Sequence, residues 1–346
     1  MPTSILKTEI DQQPEVIRNL LNSQQENVQR IARQIRGKFQ YVLIAARGTS
    51  DNAARYAQYL LGINNRLQVA LATPSVFSIY HAPVDLCGAL VIGISQSGQS
   101  PDIVSVIAEA KKQGRPTLAI TNNPQSPLAE NAEYLIPLQA GEERAVAATK
   151  TYTASLAALA LLSCSLLEHP EYAAELQKLP DAMQTTLQNT EIAIARAERY
   201  RYMEHCAVIG RGYNYASAFE IALKIKELTR VVAEPYSSAD FRHGPIATAQ
   251  SGFPVILIAP RSAVQDDLLD LIRNLQSRGA ELLIISDDPA ALEQAHFPLP
   301  IARGLPEWLT PLITVLPGQR FAMQLAIEKH LNVDQPEGLT KVTETL

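Results

Sequence analysis

The chain repeats itself about half-way along, and a repeat of that length restricts the fold more than any local pattern does. The segment Tyr41-Val-Leu-Ile-Ala-Ala-Arg-Gly-Thr-Ser50 reads as an apolar strand running into a glycine turn and a helix. Cys206-Ala-Val-Ile-Gly-Arg-Gly-Tyr-Asn-Tyr215 repeats it, so that Arg47-Gly48 returns as Arg211-Gly212, 164 residues later. Val91-Ile92 returns as Val255-Ile256 at the same spacing, and 112–121 returns one residue out of step as 277–286. Each half closes on a short apolar run with proline, at 135–138 and 297–301. Apolar runs alternate with stretches of helical spacing. Each half therefore predicts β-α-β-α units around a parallel sheet: two tandem doubly wound, flavodoxin-like α/β domains, not a solenoid. A chain of 346 residues has room for both.

The expected organisation is a helical leader over 1–36, a first domain over 37–168, a helical linker over 169–198, a second domain over 199–335 and a polar tail over 336–346. In the leader, Val16, Ile17, Leu20, Leu21, Val28, Ile31 and Ile35 share one face of an amphipathic helix. Residues 153–167 are Ala/Leu-rich and predict a buried helix, 176–199 a more polar one, and 318–330 the last.

The two halves differ where ligands bind such folds. In the first, Leu90-Val-Ile-Gly-Ile94 leads into Ser95-Gln-Ser-Gly-Gln-Ser100, and a helical pattern begins at Asp102. A hydroxyl-rich loop between a strand end and a helix start suits an anion, because the helix N-terminus presents free N–H groups and a positive dipole end. Ser95, Ser97 and Ser100 add hydroxyl donors, Gln96 an amide, and Gly98 close backbone approach. An ordinary N-cap followed by a turn would leave the same trace. With no lysine in the loop it is not a nucleotide P-loop, and a small phosphorylated metabolite fits better. The second half has Ala259-Pro-Arg-Ser262 at this point, so its anion loop is lost. It carries Glu220, Lys224, Glu227 and His243 instead, which suggests that one half holds a phosphate and the other does chemistry.

Hydrophobic residues make up 47% and charged ones 19%, a globular composition. Net charge is −5 with no Lys/Arg block, which sets nucleic acid and anionic membrane aside as partners. Residues 1–10 carry charge early and lack an apolar core, so no signal peptide is expected. The longest apolar stretch, 154–167, is broken by serines and too short to cross a bilayer. Cys87, Cys164 and Cys206 have no paired spacing and sit in apolar sequence, so they read as buried free thiols of a cytoplasmic protein. No metal or cofactor site is implied.

Glu220, Lys224 and Glu227 lie four and three residues apart and share one helical face. Such a pattern is most often a solvated ion-pair ladder. Its position just after the Arg211-Gly212 turn, at the carboxyl end of a parallel strand, favours a ligand site instead. His243 stands in Phe241-Arg-His-Gly-Pro245, where the Gly-Pro pair fixes a loop imidazole. His81, His169, His205, His296 and His330 lack such a setting.

Seven motifs then occur in order: Arg47-Gly-Thr-Ser50, Ser95-Gln-Ser-Gly98, Val146-Ala-Ala-Thr-Lys150, Glu220-Ile-Ala-Leu-Lys-Ile-Lys-Glu227, His243-Gly-Pro245, Asp334-Gln-Pro336 and Leu339-Thr-Lys341. Together they resemble the isomerase half of glucosamine-6-phosphate synthase, a sugar isomerase (SIS) protein with two SIS domains, from about residue 40 onwards. The resemblance implies that Ser95, Gln96, Ser97 and Ser100 bind a sugar phosphate with Thr49 and Ser50. It gives Glu227 the proton transfer between C2 and C1, places Lys224 against the reacting oxygens, and has Glu220 position His243. His243 would open the pyranose ring from the neighbouring subunit of a homodimer. Lys341 would be a tail lysine able to form a Schiff base, with the tail folded over the site, and Gly48, Val146 and Thr340 would contact the sugar.

Departures from that pattern are Arg47 in place of Cys, Gln99 in place of Glu, Ser100 in place of Thr and Ala148 in place of Ser. The synthases also carry an N-terminal glutaminase domain, for which 1–36 is too short, so the expected direction is deamination. The resemblance thus points to an amino-sugar-phosphate deaminase or isomerase, with glucosamine 6-phosphate giving fructose 6-phosphate and ammonia. A fructosamine-6-phosphate deglycase, or a sugar-phosphate-binding regulator without catalysis, would share the architecture.

Overall fold

The structure, a computed structural model, describes residues 4–167 and 169–341; positions 1–3 of the expected leader, 168 at the expected domain boundary and 342–346 of the expected tail lie outside the described residues. The chain opens with two helices, α1 (Ile5–Asp11) and α2 (Gln13–Ile35). The leader was expected as one amphipathic helix, and α1 is additional: Ser4 caps it by accepting the Lys7 N–H. On α2, Ile17, Leu20, Leu21, Val28, Ile31 and Ile35 are buried as their spacing predicts, and Val16 is half-buried.

The first sheet is built from β1 (Tyr41–Ala45), α3 (Gly48–Asn65), β2 (Gln68–Leu71), α4 (Pro74–Ser78), β3 (Ala89–Ser95), α5 (Pro101–Lys112), β4 (Thr117–Thr121), α6 (Pro127–Asn131) and β5 (Tyr134–Pro137). Helices α7 (Lys150–Leu167), α8 (Pro170–Leu176) and α9 (Leu179–Ile194) follow. The second sheet takes β6 (His205–Gly210), α10 (Tyr215–Thr229), β7 (Val232–Ser237), α11 (Ser238–Arg242), β8 (Pro254–Ile258), α12 (Gln265–Ser277), β9 (Glu281–Ser286), α13 (Pro289–Leu292) and β10 (Phe297–Pro300), and α14 (Thr310–Glu328) closes the helical part. The strand orders are β2-β1-β3-β4-β5 and β7-β6-β8-β9-β10, with every pair parallel. Both sheets therefore have the flavodoxin-like order, which reverses direction between the first and third strands. The repeat read in the sequence is one of topology: two doubly wound sheets flanked by helices.

The chain divides into two compact units. One, on the first sheet, comprises Glu15–Glu143, Lys150–Gln177 and the segment from Thr340. The other, on the second sheet, comprises the segment ending at Pro14, Arg144–Thr149 and Lys178–Leu339. The stretch expected as a linker is shared out, α8 to the first-sheet unit and α9 to the second. Each unit has its own core: Val91, Val106, Ile107 and Leu128 pack in one, and Leu257, Leu271, Ile272 and Ile284 in the other. Every residue of the central strand β3 is buried, as a parallel strand covered on both faces requires.

Two helices are longer than the sequence suggests. α7 begins at Lys150 and is apolar all round; it has the length and hydropathy to cross a membrane, but it lies mostly buried in its unit. α14 begins at Thr310, not Gly318, and passes through Pro317. Its burial among the helices of the second-sheet unit offsets the proline, which costs a helix interior about 3 kcal/mol. Gly318 permits that burial, since a Cβ there would stand 2.3 Å from Ile221 Cγ1 of α10.

Cys164 and Cys206 are buried as expected, but Cys87 is exposed. It precedes Gly88 in the turn before β3, where the chain has left the core, and its N–H is taken by the Asp85 carboxylate at 2.9 Å. Burial pushes the Cys164 and Cys206 thiols up to about 12, so their thiolate is scarce at neutral pH. One thiol of the three is therefore expected to react quickly with a maleimide at pH 7.5. Peptide mapping should place the label on Cys87, and comparable labelling of Cys164 or Cys206 in the folded protein would contradict these surroundings.

Candidate active site

Right-handed crossovers bring the strand-to-helix loops of a parallel sheet to its carboxyl edge. In the first-sheet unit the loop between β3 and α5 is built around Ser95, whose Oγ accepts the Gly98 N–H at 3.1 Å. Ser97 Oγ accepts the Gln99 N–H at 3.3 Å. Gly98 has a φ of 65°, and a Cβ there would meet Ser126 Oγ at 2.1 Å, so no other residue fits. The Gln96 carbonyl accepts the Asn122 N–H and the Gly98 carbonyl accepts the Leu128 N–H, each at 3.1 Å. These bonds turn two loop carbonyls toward the segment after β4, away from the helix start. Ser100 takes the N-cap position of α5, yet its hydroxyl makes no capping bond. Capping therefore does not account for this serine.

The turn after β1 puts Gly48, Thr49 and Ser50 in the first turn of α3, with Gly48 at a φ of 52°. Arg47 precedes them, and its Nε donates to Asp102 Oδ2 at 2.8 Å; Asp102 is fully buried in the first turn of α5. A charged pair thus ties the loop after β1 to the first turn of α5. The same device recurs in the second-sheet unit, where Arg211 Nη1 meets Asp267 Oδ2 at 2.9 Å in the first turn of α12. Burial pushes the Asp267 carboxyl up, but the Ser238 hydroxyl together with Arg211 and Arg242 carries it below the ordinary range. The sequence repeat held a signal for this pair, since both Arg and Asp recur at matching positions.

In the second-sheet unit, α10 carries the acidic and basic set. Glu220 is 0% exposed and Lys224 1%, so the pattern is not a solvated ladder. Lys224 Nζ lies 2.6 Å from Glu227 Oε2 and 3.4 Å from Glu220 Oε1. Of the two carboxylates only Glu227 reaches solvent, with its side chain 24% exposed. The trio has two acids for one base, and its open end is Glu227. His243 is exposed at the C-terminal end of α11, and its N–H is given to the Asp240 carbonyl at 3.0 Å.

The loop after β8, counterpart of the serine loop, is satisfied from within. Its Ala263 N–H donates to Glu307 Oε2 at 2.9 Å, and its Arg261 N–H to Asp287 Oδ1 at 2.8 Å. Glu307 Oε1 also lies 3.5 Å from where a Cβ on Gly212 would stand, in the turn after β6. The protein's own carboxylates take up donors at the place where the first-sheet unit keeps its hydroxyl loop.

Val146 falls in the second-sheet unit, although its position in the sequence put it in the first domain. Its N–H is held by the Asp334 carbonyl at 3.0 Å. Lys341 and Thr340 belong to the first-sheet unit. Lys341 Nζ lies 3.0 Å from Oε2 of Glu143, whose side chain is 0% exposed. Glu143 also accepts the Thr151 N–H at 3.1 Å and the Thr151 hydroxyl at 2.7 Å, in the first turn of α7. Glu143 and Asp334 were not singled out as site residues; Asp334 was visible only as part of the Asp334-Gln-Pro336 motif. Among the described residues no cluster of His, Cys, Asp and Glu has a geometry fit for a metal ion.

The sequence pattern of the SIS domain matches residues 39–164 and 201–300, one stretch in each half. The chain is 31% identical over 364 aligned positions to glutamine–fructose-6-phosphate aminotransferase (isomerizing) of Acinetobacter baylyi. That match takes in 96% of this chain and 58% of the relative, so the chain spans little more than half of the relative's length. A crystal structure of a candidate phosphosugar isomerase from Silicibacter pomeroyi DSS-3 superposes with a TM-score of 0.86 at 31% identity, covering 96% of this chain and 99% of that one. The C-terminal domain of glucosamine-fructose-6-phosphate aminotransferase from Francisella tularensis gives 0.85 at 27% identity, with 96% and 98% covered. With both halves matched, and the strand order common to them, the chain belongs to the SIS domain family.

Proposed function

We propose that this chain is a phosphosugar aldose–ketose isomerase that acts as an amino-sugar-phosphate deaminase, converting glucosamine 6-phosphate and water to fructose 6-phosphate and ammonia. The observation that carries the reading is the buried trio on α10. An ammonium and a carboxylate removed from water cost several kcal/mol each, and a buried ion pair is weak evidence of stability. A lysine held between two acids, with one acid reaching solvent, is better explained as proton-transfer machinery. The hydroxyl loop supports a phosphate handle, and the resemblance to phosphosugar proteins supports the substrate class.

In this reading the phosphate is taken by Ser95, Gln96, Ser97 and Ser100, with Thr49 and Ser50. The Glu227 carboxylate removes the C2 proton of the ring-opened sugar and returns it at C1. The C2–H electron pair becomes the C1–C2 double bond of an enolamine, and the aldehyde oxygen takes a proton to become the C1 hydroxyl. Reprotonation at C1 leaves a C2 imine, and water adds there to expel ammonia. Lys224 holds Glu227 in place and faces the oxygens that gain charge. Lys341 lies against Glu143, and it would have to leave that carboxylate before its amine could attack a ketose.

Three outcomes follow. Ammonia release should require the phosphate: glucosamine 6-phosphate is turned over and free glucosamine is not. Ser97→Ala should raise KM about tenfold or more, because a hydrogen bond to a charged group contributes about 1.5–3 kcal/mol. Equal turnover of the free sugar would remove the assignment.

Glu227→Gln is expected to bind sugar phosphate but to lose kcat by at least about 10²–10⁴-fold, the usual worth of a general base. Wild type in D₂O should place deuterium at C1 of the product, read by NMR. A near-normal kcat in Glu227→Gln would mean that another group moves the proton.

The active species is proposed to be a homodimer in which the exposed His243 serves the neighbouring subunit's substrate. Inactive His243→Ala and inactive Glu227→Ala chains, mixed under conditions of subunit exchange, should then recover part of the activity. Full activity in a species that sediments as a monomer would exclude it.

A further inference from the structure

The segment carrying Val146 has its backbone donors tied up by α1 and by Asp334, which caps α1. Glu9 of α1 is only 3% exposed. Its Oε1 accepts the Arg144 N–H at 2.5 Å and its Oε2 the Ala145 N–H at 3.3 Å. The next N–H, of Val146, goes to the Asp334 carbonyl at 3.0 Å. Asp334 in turn holds the start of α1: its carboxylate accepts the Leu6 N–H at 2.8 Å and the Ile5 N–H at 3.1 Å. The other end of α1 is fixed to α14 by Asp11 and Arg320, 2.6 Å apart, and the adjoining Gln13 bonds Gln319 at 2.8 Å. Two consecutive N–H groups are thus held by a helix that is itself pinned at both ends, and the third by the residue that pins its start. All of these residues belong to the second-sheet unit.

We propose that Glu9 is a positioning residue that sets the backbone of residues 144–146 for the sugar. The inference rests on the reading of Val146 as a sugar contact, and it sharpens that reading. With the Val146 N–H already given to Asp334, the backbone group left for the sugar is the Val146 carbonyl, an acceptor for a sugar hydroxyl. Glu9 suits the task because an ionised carboxylate accepts on both oxygens. A glutamine in its place keeps the shape but turns an NH₂ group toward one of the two N–H donors. Burial of the carboxylate makes each bond costly to lose. No part of Glu9 needs to touch the substrate.

The test compares wild type with Glu9→Gln and Glu9→Ala in the full chain. Hydrogen exchange followed by mass spectrometry reads the peptide spanning 142–150, and kinetics reads glucosamine 6-phosphate, with inorganic phosphate as a competitive inhibitor. Both variants should keep the wild-type circular dichroism spectrum and exchange the 144–146 amides at least tenfold faster. The sugar-phosphate KM should rise about tenfold, less in Glu9→Gln than in Glu9→Ala, with kcat changed less than KM. The inhibition constant for inorganic phosphate should stay within twofold, because the serine loop is untouched. Unchanged exchange at 144–146 in a folded Glu9→Gln would overturn the clamp. Faster exchange with an unchanged KM would overturn its role in sugar binding. If wild type turns over no sugar phosphate, the functional reading fails by itself, while the exchange measurement still decides whether Glu9 holds the segment.

Discussion

Lys224 is the constraint on which the candidate site depends. An ammonium that is 1% exposed cannot remain charged in a protein interior without partners, and Glu220 and Glu227 supply them from its own helix. Because the partners are one turn away on either side, the trio is fixed by helix geometry alone. What burial adds is direction. α14 covers α10 closely enough that Gly318 must be glycine against Ile221, and Glu220 is fully buried. Glu227 is left as the member that meets solvent.

The two sheets show how a duplicated fold keeps its frame while its loops change. The frame is kept: the strand order is the same, and an arginine after the first strand of each sheet pairs with an aspartate in the first turn of the helix after the third. The loops have diverged. In one unit, serine hydroxyls and a left-handed glycine form a loop whose N-cap serine caps nothing. In the other, Glu307 and Asp287 supply carboxylate oxygens to the corresponding backbone donors. A carboxylate supplied by the chain fills the second loop from within, which the serine loop of the first-sheet unit does not share.

Buried carboxylates recur as organisers of backbone. Glu143 holds the first turn of α7 and the Lys341 Nζ, and Asp334 holds the start of α1 and the Val146 N–H. Each ties together residues far apart in sequence. Charge-assisted bonds to N–H groups are stronger than neutral ones and have defined directions, so they can fix an irregular segment that has no ladder of its own.

Much of this was written in the sequence, and the reason is locality. The repeat, the parallel strands and the serine loop rest on patterns only a few residues long, as does the shared face of Glu220, Lys224 and Glu227. Strand and helix periodicity expresses such patterns directly. Burial of that face was not legible, because an i,i+4 ladder looks the same in water and in a core, and only tertiary packing distinguishes the two. The sequence also could not place Val146 with the second sheet, expose Cys87, or start α14 eight residues early across Pro317. Each of these turns on a contact or packing surface far along the chain. The sequence by itself determined the elements, their order and the residue types at the sheet edges. The tertiary structure decided which charges are buried and which carboxylate holds which loop, because desolvation and long-range hydrogen bonds exist only once the chain has folded.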